Sequence, residues 1–285
     1  MKKIIQRFLI FIIGIPLVIV IVYFLDYKYH LILNIIVVIF SSLGAHELRN
    51  MLKKRLLIIS TAEAVIFGGL VPALMTLVVS FDLNFWIVPA FFFAAAFWIL
   101  VSSIFISPSQ LENYIYRVAA GFSTLIYPGA FLAWICAMGR WDGRHILVFL
   151  LVPMLSDAAA WAAGMLFGKN NSGIFIVSPN KSIAGFIGGL FASVLICVTA
   201  IMVFPGFFIP RFGAAAAAGA VVLGLVSGLA SELGDLCESA IKRSTGVKDS
   251  GALMPGRGGV LDSIDSIALA APAFYFTWML FFTCA

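Results

Sequence analysis

Charge is what this chain has least of. Asp, Glu, Lys and Arg make up 11% of its 285 residues, against 62% hydrophobic residues. A soluble domain averages about 25% charged and about 45–50% apolar residues. Charges this sparse cannot cover the surface of a 285-residue soluble body, so much of the chain must use lipid as its solvent. Paired cysteines are also missing. Cys136, Cys197, Cys237 and Cys284 show no motif spacing, which excludes a disulfide framework and a cysteine zinc site. Buried thiols acting as small apolar residues are expected instead. Nor is there a long linker, a block of like charge or an internal repeat. One membrane domain is expected, not an array.

Long apolar runs fill the space that charge leaves. They fall at about 4–25, 29–46, 56–80, 83–106, 118–139, 145–167, 183–204, 212–236 and 264–283. Each is close to the ~20 residues that span a ~30 Å hydrocarbon layer. Helices satisfy their own backbone hydrogen bonds in lipid, so the expected fold is all-α, a polytopic membrane protein with about nine transmembrane helices. The first run follows Lys2, Lys3 and Arg7 but lacks a small-residue cleavage site, so it reads as the first membrane helix and not as a signal peptide. With the N-terminus in the cytoplasm, alternation puts Lys2, Lys3, Arg7, Arg49, Lys53, Lys54, Arg55, Arg117, Lys169, Lys181, Lys242, Arg243, Lys248 and Arg257 inside. Lys28, Arg140, Arg144 and Arg211 then lie outside, so 14 of the 18 basic residues are cytoplasmic, as the positive-inside rule favours.

The two halves differ in character. Residues 1–140 carry few polar groups inside their apolar runs and read as an N-terminal scaffold. Glu47 and Glu63 are the exceptions; Glu47, close to Arg49, is expected to be a solvated or paired surface carboxylate. From Ser156 onward polar residues enter the helices and Gly-rich loops join them, so residues 141–285 read as the catalytic half. The Ala-rich stretch 214–220 is expected to mark close helix packing.

Three segments of that half carry chemistry. In Ser231-Glu232-Leu-Gly234-Asp235-Leu-Cys-Glu238-Ser239-Ala-Ile-Lys242-Arg243, helical spacing puts Ser231, Asp235, Glu238 or Ser239, and Lys242 on one stripe. Ionisable groups on a membrane helix are costly and usually face a cavity or a partner; pairing of Asp235 and Glu238 with Lys242 and Arg243 is the plain alternative. Next, Lys248-Asp249-Ser-Gly251 leads into Pro255-Gly256-Arg257-Gly258-Gly259, where glycines permit a backbone nest of N–H groups suited to a phosphate. That loop runs into Asp262 and Asp265, spaced i and i+3. With Asp235 they offer hard oxygen ligands for a cation such as Mg²⁺, although N-capping would account for Asp262 alone. Third, Ser156-Asp157 and Gly164-x-x-Phe-Gly168-Lys169 precede Ser178-Pro179-Asn-Lys181-Ser182-x-x-Gly185. The lysines there could serve topology only, and Ser182 could cap a helix. Carboxylates, lysines and a Gly-rich loop at one membrane face suit nucleotidyl or phosphoryl transfer, in which metal and cations must neutralise polyanionic substrates.

Residues 239–265 resemble the signature of the phosphatidate cytidylyltransferases, S-x-x-K-R-x4-K-D-x-G-x3-P-G-H-G-G-x-x-D-R-x-D. Here it reads Ser239, Lys242, Arg243, Lys248, Asp249, Gly251, Pro255, Gly256, Arg257, Gly258, Gly259, Asp262, Ser263 and Asp265, in register over 27 positions. Gly234-Asp235 and the element at 178–185 also look like parts of that family. The chain departs from the pattern at Arg257 (His in the signature), Ser263 (Arg) and Ala184 (Glu). Arg257 keeps a charge but cannot shuttle a proton near neutral pH.

The resemblance implies that Asp235, Asp262 and Asp265 hold the catalytic Mg²⁺, with a second cation as an option. It makes Asp235, Lys242, Asp262 and Asp265 the catalytic group. Asp157, Lys169, Lys181, Ser182, Ser239, Arg243, Lys248, Asp249, Gly256, Arg257, Gly258 and Gly259 would meet substrate. The implied partners are CTP, phosphatidic acid and membrane lipids, with a homodimer as an assembly seen in the family and no nucleic acid. The implied location is the bacterial cytoplasmic membrane, with the site facing the cytoplasm. Two other readings stay open: a non-catalytic or altered-substrate relative, and a transporter with Asp157 and Asp235 on an ion path. A CDP-alcohol phosphotransferase would continue its aspartate motif as Asp-Gly-x-x-Ala-Arg, which is absent.

Overall fold

The computed structural model describes residues 14, 16–54, 59–102, 104–105, 108–211 and 216–283. Among them helix is the only extended secondary structure, broken by isolated β-bridges. Among the described residues seven helical spans are long and apolar enough to cross a membrane, as expected of a multi-pass membrane protein. The expected run at 4–25 lies largely outside the described residues; 16–23 are helical. The run at 83–106 shortens to a helix of 16 residues, Ile87–Ser102. At 1.5 Å per residue it reaches about 24 Å, short of a ~30 Å hydrocarbon layer.

The chain divides into two compact units, Met1–Arg140 with Ser244–Ile264, and Trp141–Arg243 with Asp265–Ala285. In the first, α1 (Leu31–Lys53) packs on α2 (Thr61–Phe81), and α3 (Ile87–Ser102) and α4 (Tyr114–Thr124) follow. The α1–α2 seam is built from small residues: a side chain at Gly68 or Gly69 would meet Ser41, Ser42 or Ala45. Ser41 Oγ lies 2.7 Å from the Gly68 carbonyl and also reaches Pro128 O. Pro128 sits in a π-helical turn, Leu125–Ala130, that joins α4 to α5 (Phe131–Ala137). Proline has no N–H to give the α-helical ladder, and the wider turn absorbs the defect. Glu63 closes a capping box with Ser60 at the start of α2 and accepts from Arg117 Nη2 at 2.8 Å.

In the second unit, α6 (Gly143–Phe167) and α7 (Ile183–Val203) form a hairpin. Their seam is again of small residues, with Gly185, Gly188 and Gly189 facing Ser156, Ala160 and Ala163. α8 (Ala216–Ser244) crosses α7 where Gly224 and Gly228 meet Ser193. α9 (Leu261–Phe281) lies against α8 at Gly234, whose Cα faces the backbone of Asp265 and Ser266. The close packing expected at 214–220 is found at its end among the described residues: Gly219 and Ala220 are buried, with Gly219 against Phe281 and Phe282, while Ala217 and Ala218 are exposed. Trp278 closes one end of the unit, with His145, Phe208, Phe274 and Phe282 around its indole. Asp142 caps α6 by accepting from Arg144 N at 2.9 Å. Cys136 and Cys197 are buried as expected, whereas Cys237 is exposed because its position on α8 turns away from the neighbouring helices. Cys284 lies outside the described residues.

Candidate active site

The turn between α6 and α7 sets the first feature of the site. Ser178 N donates to Phe175 O and Lys181 N to Ser178 O, both at 3.0 Å, tightening the chain around Pro179 and Asn180. Ser182 then caps α7, its hydroxyl accepting from Gly185 N at 3.0 Å. This turn holds Lys181 over α8, where its ammonium lies 2.9 Å from Glu232 Oε2 and 2.8 Å from Asp235 Oδ2. Burial disfavours the charged ammonium, but the adjacent Asp235 and Glu232 carboxylates outweigh that and hold Lys181 above its ordinary value. The three side chains line a cavity of about 530 Å³ together with Asp157, Ser182 and Trp161. Ala160, Met165 and Phe186 add an apolar wall.

Asp235 belongs to a second grouping. One carboxylate oxygen from each of Asp235, Glu238 and Asp265 lies within 4.8 Å of the other two. Glu238 and Asp265 are buried. Lys242, one turn on from Glu238, forms an ion pair with it, and Ser239 Oγ stands 3.5 Å from Asp235 Oδ1. The absence of a side chain at Gly234 lets α9 bring Asp265 this close to α8, since a Cβ there would strike the Asp265 carbonyl. Three hard oxygen donors at this spacing fit a divalent cation of the Mg²⁺ type.

The Gly-rich loop belongs to the other unit and has a different order. Gly256 and Gly258 hold φ of 75° and 112°, where an L side chain would be strained. Met254 and Gly258 exchange backbone hydrogen bonds at 2.8 and 3.0 Å. Asp262 Oδ2 accepts from Ser250 N (2.8 Å), Ser250 Oγ (2.8 Å) and Gly259 N (2.7 Å). Glu47, from α1, accepts from Val260 N (3.0 Å) and Leu261 N (2.9 Å) and lies 3.0 Å from Ser250 Oγ, whose single proton it shares with Asp262. The nest of N–H groups expected for a phosphate is thus largely filled by the protein's own carboxylates. Glu47 also departs from the expected surface role. It is 8% exposed, because three donors of a loop more than 200 residues away compensate its desolvation.

Of the residues singled out from sequence, Asp157, Lys181, Ser182 and Asp235 meet at the cavity, and Asp235 meets Asp265 in the carboxylate group. Lys242 is buried and pairs with Glu238. Lys169, Arg243, Lys248 and Asp249 are exposed and Arg257 half-buried. Glu232 and Glu238 were quoted in the motif but given no role in the site. Their signal was the same helical stripe that marked Asp235, extended by one turn and by a neighbouring face. Glu47 had a fainter signal, a carboxylate set within an apolar run.

The chain is 37% identical over 134 residues to a phosphatidate cytidylyltransferase of Staphylococcus saprophyticus, covering 47% of this chain and 48% of the relative. It is 40% identical over 136 residues to that of Staphylococcus aureus strain COL, with the same two coverages. The Staphylococcus haemolyticus protein of that name is 37% identical over 134 residues, again 47% and 48% of the two chains. The chain thus spans about half the length of the curated relatives it matches. The sequence model of the Cytidylyltransferase family, in contrast, matches residues 5–281. With that match running from the first apolar segment to the last helix, the chain belongs to the Cytidylyltransferase family.

Proposed function

We propose that the protein transfers the cytidylyl group of CTP to phosphatidic acid, giving CDP-diacylglycerol and pyrophosphate. One observation carries the reading: a single cavity sets an apolar wall of Ala160, Met165 and Phe186 against a charged end of Lys181, Asp157 and Asp235. A substrate that is part acyl chain and part phosphate needs both. The names of the staphylococcal relatives agree.

On this reading Asp235, Glu238 and Asp265 hold Mg²⁺. When bound, the cation supplies positive charge that neutralises the triphosphate and the leaving pyrophosphate. Asp262 keeps its place as a candidate ligand, with one oxygen fixed by Ser250 and Gly259. Lys181 acts as a positioned cation. Held between Glu232 and Asp235, it lines the cavity and offers its charge to a substrate phosphate. Lys242 offsets the charge of Glu238. A phosphate oxygen of phosphatidic acid attacks the α-phosphorus of CTP in line, the bond to the pyrophosphate oxygen breaks, and no covalent enzyme intermediate forms. Arg243, Lys248 and Arg257 supply further positive charge for phosphates. The excess of Lys and Arg on the segments carrying these residues supports a site facing the cytoplasm in a bacterial inner membrane. A homodimer is the assembly to expect from the family resemblance.

The test is pyrophosphate release by purified protein in detergent with CTP, phosphatidic acid and Mg²⁺. Release that depends on metal and prefers CTP over dATP is expected. No release from folded protein would turn the reading towards a relative that binds these substrates without turnover, with Arg257 and Ser263 the first positions to revert to His and Arg.

A further inference from the structure

We propose that Glu47, on the first helix of the scaffold, is a positioning residue for the reaction: it is the internal anion around which the Gly-rich loop is built. Its carboxylate takes the Val260 and Leu261 N–H groups and the Ser250 hydroxyl at 2.9–3.0 Å. The loop's sequence is shaped to admit it. A Cβ on Gly251 would run into the Glu47 carboxylate, and a Cβ on Gly259 would strike both Glu47 and Ser250. Two glycines of the signature therefore make room for a side chain more than 200 residues earlier. Ser250 joins this anion to a second one: its hydroxyl lies 3.0 Å from Glu47 Oε2 and 2.8 Å from Asp262 Oδ2, and it accepts from Asp262 N at 3.2 Å. Glu47, Ser250 and Asp262 form one hydrogen-bonded chain, so the direction in which Asp262 points is set from α1.

A carboxylate in a backbone nest does what a bound phosphate would do, and it does so before substrate arrives. The loop is thereby preorganised. With Glu47 neutralised, its donors lose charge-assisted acceptors and ordering the loop falls to the substrate. The catalytic part of this inference rests on the proposed cytidylyl transfer; the clamp itself does not.

The full-length protein in detergent is compared as wild type, Glu47→Gln, Gly251→Ala and the double variant. Hydrogen–deuterium exchange and steady-state kinetics with CTP and phosphatidic acid are read on each. Glu47→Gln is expected to speed amide exchange across 250–261 while 216–243 keeps its protection. It should lower kcat by about tenfold to a hundredfold and leave the KM for CTP within about threefold. Gly251→Ala, which displaces the same carboxylate, should do the same, and the double variant should be no worse than the more severe single one. If Glu47→Gln loses protection throughout the helices, Glu47→Asp keeps the charge at shorter reach and is read in the same way. Unchanged exchange at 250–261, an unchanged kcat, or losses that multiply in the double variant would each overturn the proposal. Should the wild type release no pyrophosphate, the activity reading fails, and the exchange data alone decide the clamp.

Discussion

Replacing Lys181 with Met removes one cation from between two carboxylates and leaves the methylene stem in place. The Glu232 side chain is 1% exposed and that of Asp235 30%, while Lys181 retains 22%. Breaking a fully buried ion pair by deleting one partner costs about 3–5 kcal/mol, because the remaining charge stays desolvated. Here water reaches Lys181 and Asp235 but hardly Glu232, so about 2–3 kcal/mol is expected. For a chain of this size that is an apparent Tm lowered by roughly 3–5 °C. Thermal unfolding of detergent-solubilised protein at one fixed scan rate reads it. Glu232→Gln on its own should cost less, because Lys181 keeps Asp235. The decisive variant is the double one: with Lys181→Met and Glu232→Gln together the buried acid is gone and only Asp235, which water reaches, loses its partner, so at least half of the lost Tm should return. Activity should not return with it, since the cavity's cation is gone. A Lys181→Met protein as stable as wild type, or a double variant as unstable as the two losses added, would refute the idea that this ammonium neutralises a buried acid.

Three further outcomes are expected. Gly234→Ala puts a methyl against the Asp265 carbonyl and within 3.1 Å of Ser266 Cα; by forcing α8 from α9 it should cost about 1–3 kcal/mol in stability and most of the activity, read by thermal unfolding and pyrophosphate release. Asp262→Asn removes the charge that Ser250 and Gly259 hold and should abolish turnover in protein that still extracts as a folded species; near-normal turnover would remove Asp262 from the catalytic group. The Arg144 hydrogen bond holds the Asp142 carboxyl down at about 2, against the opposing effect of burial, with the Arg144 backbone N–H adding to it. A depressed carboxyl stabilises the fold above its ordinary value near 3.8 and loses that contribution as pH falls through about 2. The stability gap between wild type and Asp142→Asn should therefore be present at pH 5 and shrink between pH 4 and pH 2, as acid titration followed by circular dichroism would show.

The membrane-spanning character was legible because lipid imposes one rule, long apolar runs, and the sequence obeys it nearly throughout. Asp157 and Asp235 were legible for the complementary reason, as costly groups in a medium that rejects them; Lys181 and Ser182 were marked by the loop element at 178–185. What could not be read was how each cost is met. Glu232 and Asp235 stand three apart on α8, yet their common partner, Lys181, comes from a loop some 50 residues earlier. Glu238 does have its partner one turn away, at Lys242, and that pairing was visible as an alternative. The Gly-rich loop was legible as a special backbone but not in its purpose. Glycines at 251 and 259 could equally have admitted a ligand phosphate, and only the position of Glu47 in space shows that a protein carboxylate occupies the place.

The charge inventory of the second unit links fold to proposed chemistry. Asp157, Glu232, Asp235, Glu238 and Asp265 place five carboxylates around the cavity and the compact carboxylate group, whereas Lys181 and Lys242 are the lysines paired to them. In water such an excess would be screened over about 10 Å; among apolar helices it is not. Each of these lysines is already joined to carboxylates. On the proposed reading, a divalent cation arriving with a nucleotide would offset the protein's surplus acid and the substrate's phosphates in one place. The small-residue seams are what make this possible. Without glycine at 189 and 234, Glu232 and Asp265 could not sit so close to the neighbouring helices, and the acids would be spread along separate spans instead of converging.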